Sequence, residues 1–353
     1  MKLNTHQLSF VPILFLPLLA FHPVADEVAF QPAKGASVSK ELTFSSTFYL
    51  DDAFVSVDGQ ELPPEMLGSA MEEGLLFEAS VSVTDEYVST KDGKVLDLLR
   101  TFDSLSLEAG PESAAESVEE FAELEDTTVS FLWDEDDSEY IKSFHESEGD
   151  EGLLENLDVD MDFLALLPKD TVSDGDTWEV KGKGLGTIFL PGGVPASPDT
   201  DNEEAAEMTE LLKEELGAQM EEAFGDFTVR CTYAGSREQG DVELGVIQFE
   251  FEGEAAIDLS EVLQTAVELQ GGDMGINADV AASLALEFEA TGTLLWDLKA
   301  GHAHNFEMKG EMAIQADIEA DIDAQGENHS AELSAEIACE MVWAMSTESG
   351  GDE

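Results

Sequence analysis

The sequence predicts an α+β fold rich in strand: long, curved antiparallel strands forming a coiled sheet or an incomplete barrel, with helices packed on its apolar face. Three observations lead there. Over 276–298 every even position is apolar or small and most odd positions are polar, a period of two sustained far beyond an ordinary strand. Several intervening segments carry apolar residues at helical spacing. The order of elements also repeats between 37–166 and 177–346, which predicts an internal two-fold repeat.

Taken in order, residues 1–25 read as an export signal. Lys2 precedes an apolar run over 8–21 that is short for a bilayer span, with cleavage expected after Ala20 or Ala25. The first β-rich half, 37–166, has a strand over 38–57, a short helix "PPEMLGSAMEE", a strand over 75–88, a turn at Asp92-Gly93 and a strand over 95–107. A helix "PESAAESVEEFAELE" follows, then a strand ending Leu132-Trp133-Asp134, a loop and a strand to Phe144. Leu153, Leu154, Leu157, Met161 and Leu164 lie on one stripe of an amphipathic helix that stops before Pro168. The second half, 177–346, has a strand over 178–189 and a helix over 201–224 whose stripe is Ala205, Met208, Leu212, Leu216, Met220 and Phe224. Strands over 227–233 and 242–257 follow, then a helix "DLSEVLQTAVELQ" and a three-strand meander with a tail at 347–353. The meander has one apolar and one acidic face.

A straight strand over 276–298 would span about 75 Å at about 3.3 Å per residue, so the sheet has to coil. A hairpin closing around Gly301 sets Gly292 opposite Gly310, Trp296 opposite Phe306, Phe288 opposite Ile314 and Leu284 opposite Ile318. Paired inward glycines let a sheet bend sharply. The upstream echo of Leu-Trp-Asp predicts a matching pair, Trp133 opposite Phe144.

The chain has 353 residues, 43% of them hydrophobic, with 79 Asp and Glu against 15 Lys and Arg and a formal charge of −64. That balance excludes nucleic acid and anionic membrane surfaces as partners and favours cations, basic partners or a saline medium. No transmembrane anchor is expected in the mature chain. Cys231 and Cys339 either pair in an oxidising compartment or stand as two buried thiols. His302 and His304, with Asp297 nearby, have the spacing of two metal ligands on a strand, weighed against a plain polar turn. The outward ladder Asp317, Glu319, Asp321 and Asp323 sets like charges side by side, so cations, calcium weakly among them, should stabilise it. The loop "DEDDSEY" lacks the glycine and the final glutamate of an EF-hand. There is no nucleophile elbow, phosphate-binding loop, dinucleotide glycine motif or Cys-x-x-Cys.

The stretch "LLPKDTVSDGDTWEV" joins Leu-Pro to Gly-Asp-Thr-Trp at the start of a strand. With "DEYVSTKDGKVLDLLRTFDSL" and "GTLLWDLKAGHAHNFEMKGE" it resembles uncharacterised exported proteins of planctomycete-type bacteria, grouped as domains of unknown function. The resemblance implies export and a β-rich fold, and implies no activity and no catalytic residue. The expected function is a non-enzymatic exported protein whose curved sheet shelters a hydrophobic, lipid-like ligand or acts as a structural scaffold, with no cofactor. The alternative is a cation-stabilised or calcium-binding acidic surface protein.

Overall fold

The computed structural model describes residues 25–62, 74–117, 122–182, 185–193, 195, 219, 225, 227–271, 276–324 and 327–349. They build one 13-stranded antiparallel sheet. The strands are β1 (Ala36–Val57), β2 (Gln60–Leu62), β3 (Leu75–Lys91), β4 (Lys94–Pro111), β5 (Glu116–Ser117), β6 (Thr127–Asp134) and β7 (Glu139–Phe144). They continue with β8 (Thr177–Lys181), β9 (Thr228–Gln239), β10 (Val242–Asp258), β11 (Ile276–Asp297), β12 (His302–Ala324) and β13 (Glu327–Ser349). The path runs β7-β6-β4-β3-β1-β13-β12-β11-β10-β9-β8, with β2 and β5 as short additions on β1 and β4. Each half of the chain is thus a meander, and the two join along the β1–β13 ladder. Among the described residues β7 and β8 are the two free edges.

The α+β expectation is corrected: the fold is nearly all β, with two short helical elements bounded among the described residues, α1 (Gly186–Phe189) and α2 (Ser260–Gly271). Two of the expected helices, at 111–125 and 153–164, give way because strand or irregular chain serves the same apolar residues. The segment after β4 holds β5 and a 3-10 turn over Ala122–Leu124. The stripe at 153–164 is two 3-10 turns, Glu151–Leu154 and Leu164–Leu166, joined by irregular chain. There Asp158, Asp160 and Asp162 sit at alternate positions, and the Asp158 and Asp160 carboxylates take backbone N–H groups that a helix would use internally. The strand expected over 178–189 ends at Lys181 and gives way to α1. The expected signal and the helix "PPEMLGSAMEE" lie outside the described residues, as does nearly all of the helix at 201–224.

The period-two reading does hold along the long strands. Val280, Leu286, Phe288, Leu294 and Trp296 are buried while Glu287 and Glu289 are exposed. Buried residues from both meanders, such as Phe102, Phe131, Phe249, Phe288 and Met341, belong to one core. The sheet therefore wraps a common interior. Segments 28–30, 153–172 and 185–188 line it from within: Phe30, Leu154, Leu157, Phe163, Leu166 and Ile188 all join that core. At the far end Leu259 and the α2 residues Leu263 and Val267 cover Ala278, Val280 and Ala282. Small residues on β11 give the helix its room. There β11 runs past the end of β10, leaving backbone groups unpaired on that edge. Gln264 fills the gap as a strand would: its Nε2 donates to the Ala278 carbonyl at 2.7 Å and its Oε1 accepts from the Val280 N–H at 3.0 Å.

The register of the main hairpin also differs from expectation. Leu294 faces Phe306, Ala290 faces Gly310, and Gly292 faces Met308. Trp296 faces Ala303, and Phe288 and Leu286 face Met312 and Ile314. The shift arises in the turn. Asp297 Oδ1 accepts from the N–H groups of Lys299 and Ala300 at 2.9 and 2.7 Å, Gly301 takes a positive φ of 73°, and a bulge follows between Leu295 and Trp296. The upstream hairpin uses the same device. Asp134 Oδ1 accepts from Asp136 N–H at 2.8 Å, and Ser138 takes φ 58°. Trp133 accordingly faces Tyr140, with ring centroids 5.1 Å apart, and Phe144 faces Val129. What the two Leu-Trp-Asp segments share is an aspartate that caps a four-residue turn. The inward glycines serve rings: a side chain on Gly292 would collide with Phe249 and the Glu307 carbonyl, and one on Gly310 would stand 2.9 Å from Phe288.

Candidate functional site

Two features occupy the interior side by side: a buried charge network and an apolar cavity. The network breaks the apolar alternation of three neighbouring strands. Lys40 on β1, Asp85 and Tyr87 on β3 and Arg100 on β4 all sit at inward positions and are buried. Lys40 Nζ lies 3.0 Å from Asp85, 2.8 Å from Asp162 and 2.9 Å from the Tyr87 hydroxyl. Arg100 grips Asp85 with two N–H groups, at 2.7 and 3.0 Å. It also donates to the carbonyls of Asp158 and Val159, at 2.8 and 3.1 Å. Asp162 further accepts from Tyr87 at 2.8 Å and from the Ala303 N–H at 3.1 Å. Two cations and two carboxylates thus pin the inner segment to both meanders at once. Such pairs stabilise a fold only when their geometry is good and further hydrogen bonds meet most of the remaining lone pairs and protons.

The protonation states follow from the geometry. Burial works against the charged form of Asp85, but Arg100 and Lys40 outweigh it and hold the carboxyl below its ordinary range. Burial likewise works against Lys40 and Arg100, yet Asp162 for the one and Asp85 for the other keep both raised. Burial and Asp162 push the Tyr87 hydroxyl well up, so it stays a donor. Asp160, next to the network, is pushed up to about 7 by desolvation and by Asp162.

Against this network lies a cavity of about 570 Å³. Its described walls come from β1, β3 and β4 on one side (Phe44, Phe77, Leu105) and from β11, β12 and β13 on the other (Leu286, Met312, Trp343). Met161, α1 and the turn through Gly192 and Gly193 form its floor. Trp343 Nε1 is spent on the Phe189 carbonyl at 3.2 Å, which leaves that wall apolar. Leu190 lines the cavity and is 57% exposed, which marks the mouth. The size and lining fit a small apolar ligand.

The residues singled out in sequence fare differently. His302 is buried and its Nδ1 is 2.7 Å from the Ala303 carbonyl, while Asp297 is occupied with the turn. His304 is half-buried and lines a polar groove with Arg237 and Asn305. Among the described residues no group of three or more His, Cys, Asp or Glu is placed to hold a metal. Cys231 on β9 and Cys339 on β13 are separate buried thiols, with β10, β11 and β12 between them, and burial pushes each up to about 12. Asp317 takes hydrogen bonds from Ser334 and Gln315, at 2.6 and 3.1 Å, and Glu319 and Asp321 are exposed. Asp323 lies on β12 beside Asn277 and Asn328. An acidic row of four also crosses the sheet, Glu252–Glu289–Glu311–Glu340, each directly opposite the next. The Gly-Asp-Thr-Trp motif proves structural: Asp176 caps Ser173 at 2.8 Å, and Trp178 Nε1 donates to Leu166 at 3.1 Å.

No protein-family description and no curated protein matches the chain. Among solved structures it is similar to the outer membrane protein OprG from Pseudomonas aeruginosa, at 8% identity and a TM-score of 0.21, covering 91% of this chain and 100% of that one. It is also similar to OccK2 of the same organism, crystallised with glucuronate, at 7% identity and a TM-score of 0.19, covering 88% of this chain and 96% of that one. At such scores these likenesses carry no argument about this chain. No helix among the described residues is long and apolar enough to cross a membrane, which says nothing of strands.

The network is what sequence reading missed. A trace of it was present, since Lys40, Asp85 and Arg100 fall on the apolar parity of their strands. Three separate charges at inward positions announce partners only once the strands are known to be neighbours.

Proposed function

We propose that the chain is an exported, non-enzymatic protein that holds one hydrophobic ligand of acyl-chain size in the cleft between its two meanders. The observation that carries this reading is the 570 Å³ cavity with its apolar walls. Burying about a dozen methylenes at about 0.8 kcal/mol each offers about 10 kcal/mol before the cost of association is set against it. The acidic exterior keeps such a protein dispersed and away from anionic surfaces. Export is the expectation drawn from the N-terminal sequence and from the resemblance to exported proteins.

Two measurements test it. Native mass spectrometry of gently purified protein should show a mass increment that organic extraction removes. N-phenylnaphthylamine should fluoresce on binding the extracted protein. Ala79→Trp, which fills the cavity from β3, should abolish that fluorescence with its circular dichroism spectrum unchanged. Extracted wild-type protein that binds no apolar probe would defeat the reading.

A further inference from the structure

Resting on the cavity as a ligand site, we infer that its ligand is an acyl chain ending in a neutral hydrogen-bond acceptor, an ester or amide carbonyl, and that Arg100 receives it. Arg100 is the only charged side chain among the described lining residues, and it is 1% exposed. A guanidinium has five N–H groups. Four are taken: Nε and one on Nη2 by Asp85, the other on Nη2 by Val159, and one on Nη1 by Asp158. The second N–H of Nη1 has no acceptor among the described residues. Gly192 lies against it, and a Cβ there would stand 3.1 Å from Nη1. Gly192 also lines the cavity. A buried N–H without an acceptor is costly, and an oxygen arriving at the end of an apolar chain removes that cost.

The charge balance decides which oxygen. Lys40 and Arg100 are already matched by Asp85 and Asp162, and the chain as a whole stands at −64. A carboxylate in the cavity would be a desolvated anion with a single donor, in a network with no spare positive charge. A neutral carbonyl needs one donor and finds one.

The test uses the extracted full chain and three ligands that share a twelve-carbon chain, methyl laurate, laurate and dodecane, each displacing N-phenylnaphthylamine at pH 8. Methyl laurate should displace the probe at about a tenfold lower concentration than either other ligand, the scale of one hydrogen bond to a charged donor. Arg100→Gln should bring methyl laurate and dodecane level; if that variant does not fold, the wild-type order of the three decides alone. Laurate equal to or tighter than the ester, or dodecane equal to it, overturns the inference while leaving the cavity's role intact. Failure of the probe itself to bind would instead remove the function on which the inference rests.

Discussion

Lys40→Met should destabilise the protein, and Asp162→Asn added on top of it should restore much of the loss. Lys40 is fully buried and touches Asp85, Asp162 and the Tyr87 hydroxyl within 3.0 Å. Removing the ammonium leaves two carboxylates facing one guanidinium, and breaking a buried pair in this way costs about 3–5 kcal/mol. Asp85 keeps Arg100 in the variant, so the uncompensated charge falls on Asp162. An asparagine there removes that charge. Its oxygen still accepts from the Ala303 N–H, and its amide donates to Tyr87 where the carboxylate accepted. The double variant should therefore lie about 2 kcal/mol or more above the sum of the single changes, the coupling expected of residues in one network. Urea melts of the four proteins at pH 7 measure it, with an unchanged slope as the sign that the transition is the same. Strict additivity within about 0.5 kcal/mol would refute the reasoning. The pairs would then contribute packing alone, and the segment from Asp158 to Asp162 would be held by its apolar neighbours.

Other consequences are simpler to measure. Because Glu252, Glu289, Glu311 and Glu340 stand in one row on the outer face, the melting temperature should climb from low ionic strength to that of seawater. Glu311→Lys should raise low-salt stability by about 0.5–1 kcal/mol and flatten the climb, whereas a salt-independent melt would remove the idea. The Asp160 carboxyl, pushed up to about 7 by burial and Asp162, favours the folded state in its protonated form. Its contribution is present below the ordinary carboxyl range and is lost as pH rises through about 7. Asp160→Asn, which keeps Oδ1 as acceptor for the Asp162 N–H at 2.9 Å and the Leu164 N–H at 3.4 Å, should erase that decline, and a parallel decline in the variant would count against it. Cys231 and Cys339, buried and pushed up to about 12, should resist iodoacetamide at pH 8 until urea unfolds the chain, when both should react; labelling in the native state would contradict their placement.

What sequence could reveal here was decided by which forces act locally. Side-chain alternation is a property of single strands, so the inward faces of β11, β12 and β13 were readable residue by residue, and so was the helix that became α2. The pairing between strands is set at turns. One hydrogen-bonding aspartate and one bulged residue moved the hairpin of β11 and β12 two places from the symmetric register, and no pattern of apolar residues distinguishes registers that differ by two. The same limit hid the site. Asp85 and Arg100 face each other because β3 and β4 form a hairpin, and their proximity could have been inferred from the turn at Asp92-Gly93. Asp162 arrives from a segment whose apolar spacing imitates a helix, and the competition for its backbone N–H groups by Asp158 and Asp160 is visible only in retrospect.

The position of the network bears on how the cavity can exist at all. An apolar cleft between two meanders should close if nothing holds its walls apart, since collapse would bury more surface. Lys40, Asp85 and Arg100 oppose that collapse on the β1, β3 and β4 side, because moving those strands inward would compress charges already at hydrogen-bond distance. On the other side Phe306 is stacked between Phe163 and Phe249, with centroids 3.8 and 5.5 Å away, and fixes β12 against the same inner segment. The segment from Asp158 to Phe163 is therefore a brace common to both walls. Lys40→Met should on this account shrink the cavity as well as weaken the fold, so that N-phenylnaphthylamine binding falls even at temperatures where the variant is fully folded. Undiminished probe binding by a folded Lys40→Met protein would show that the walls stand without the brace.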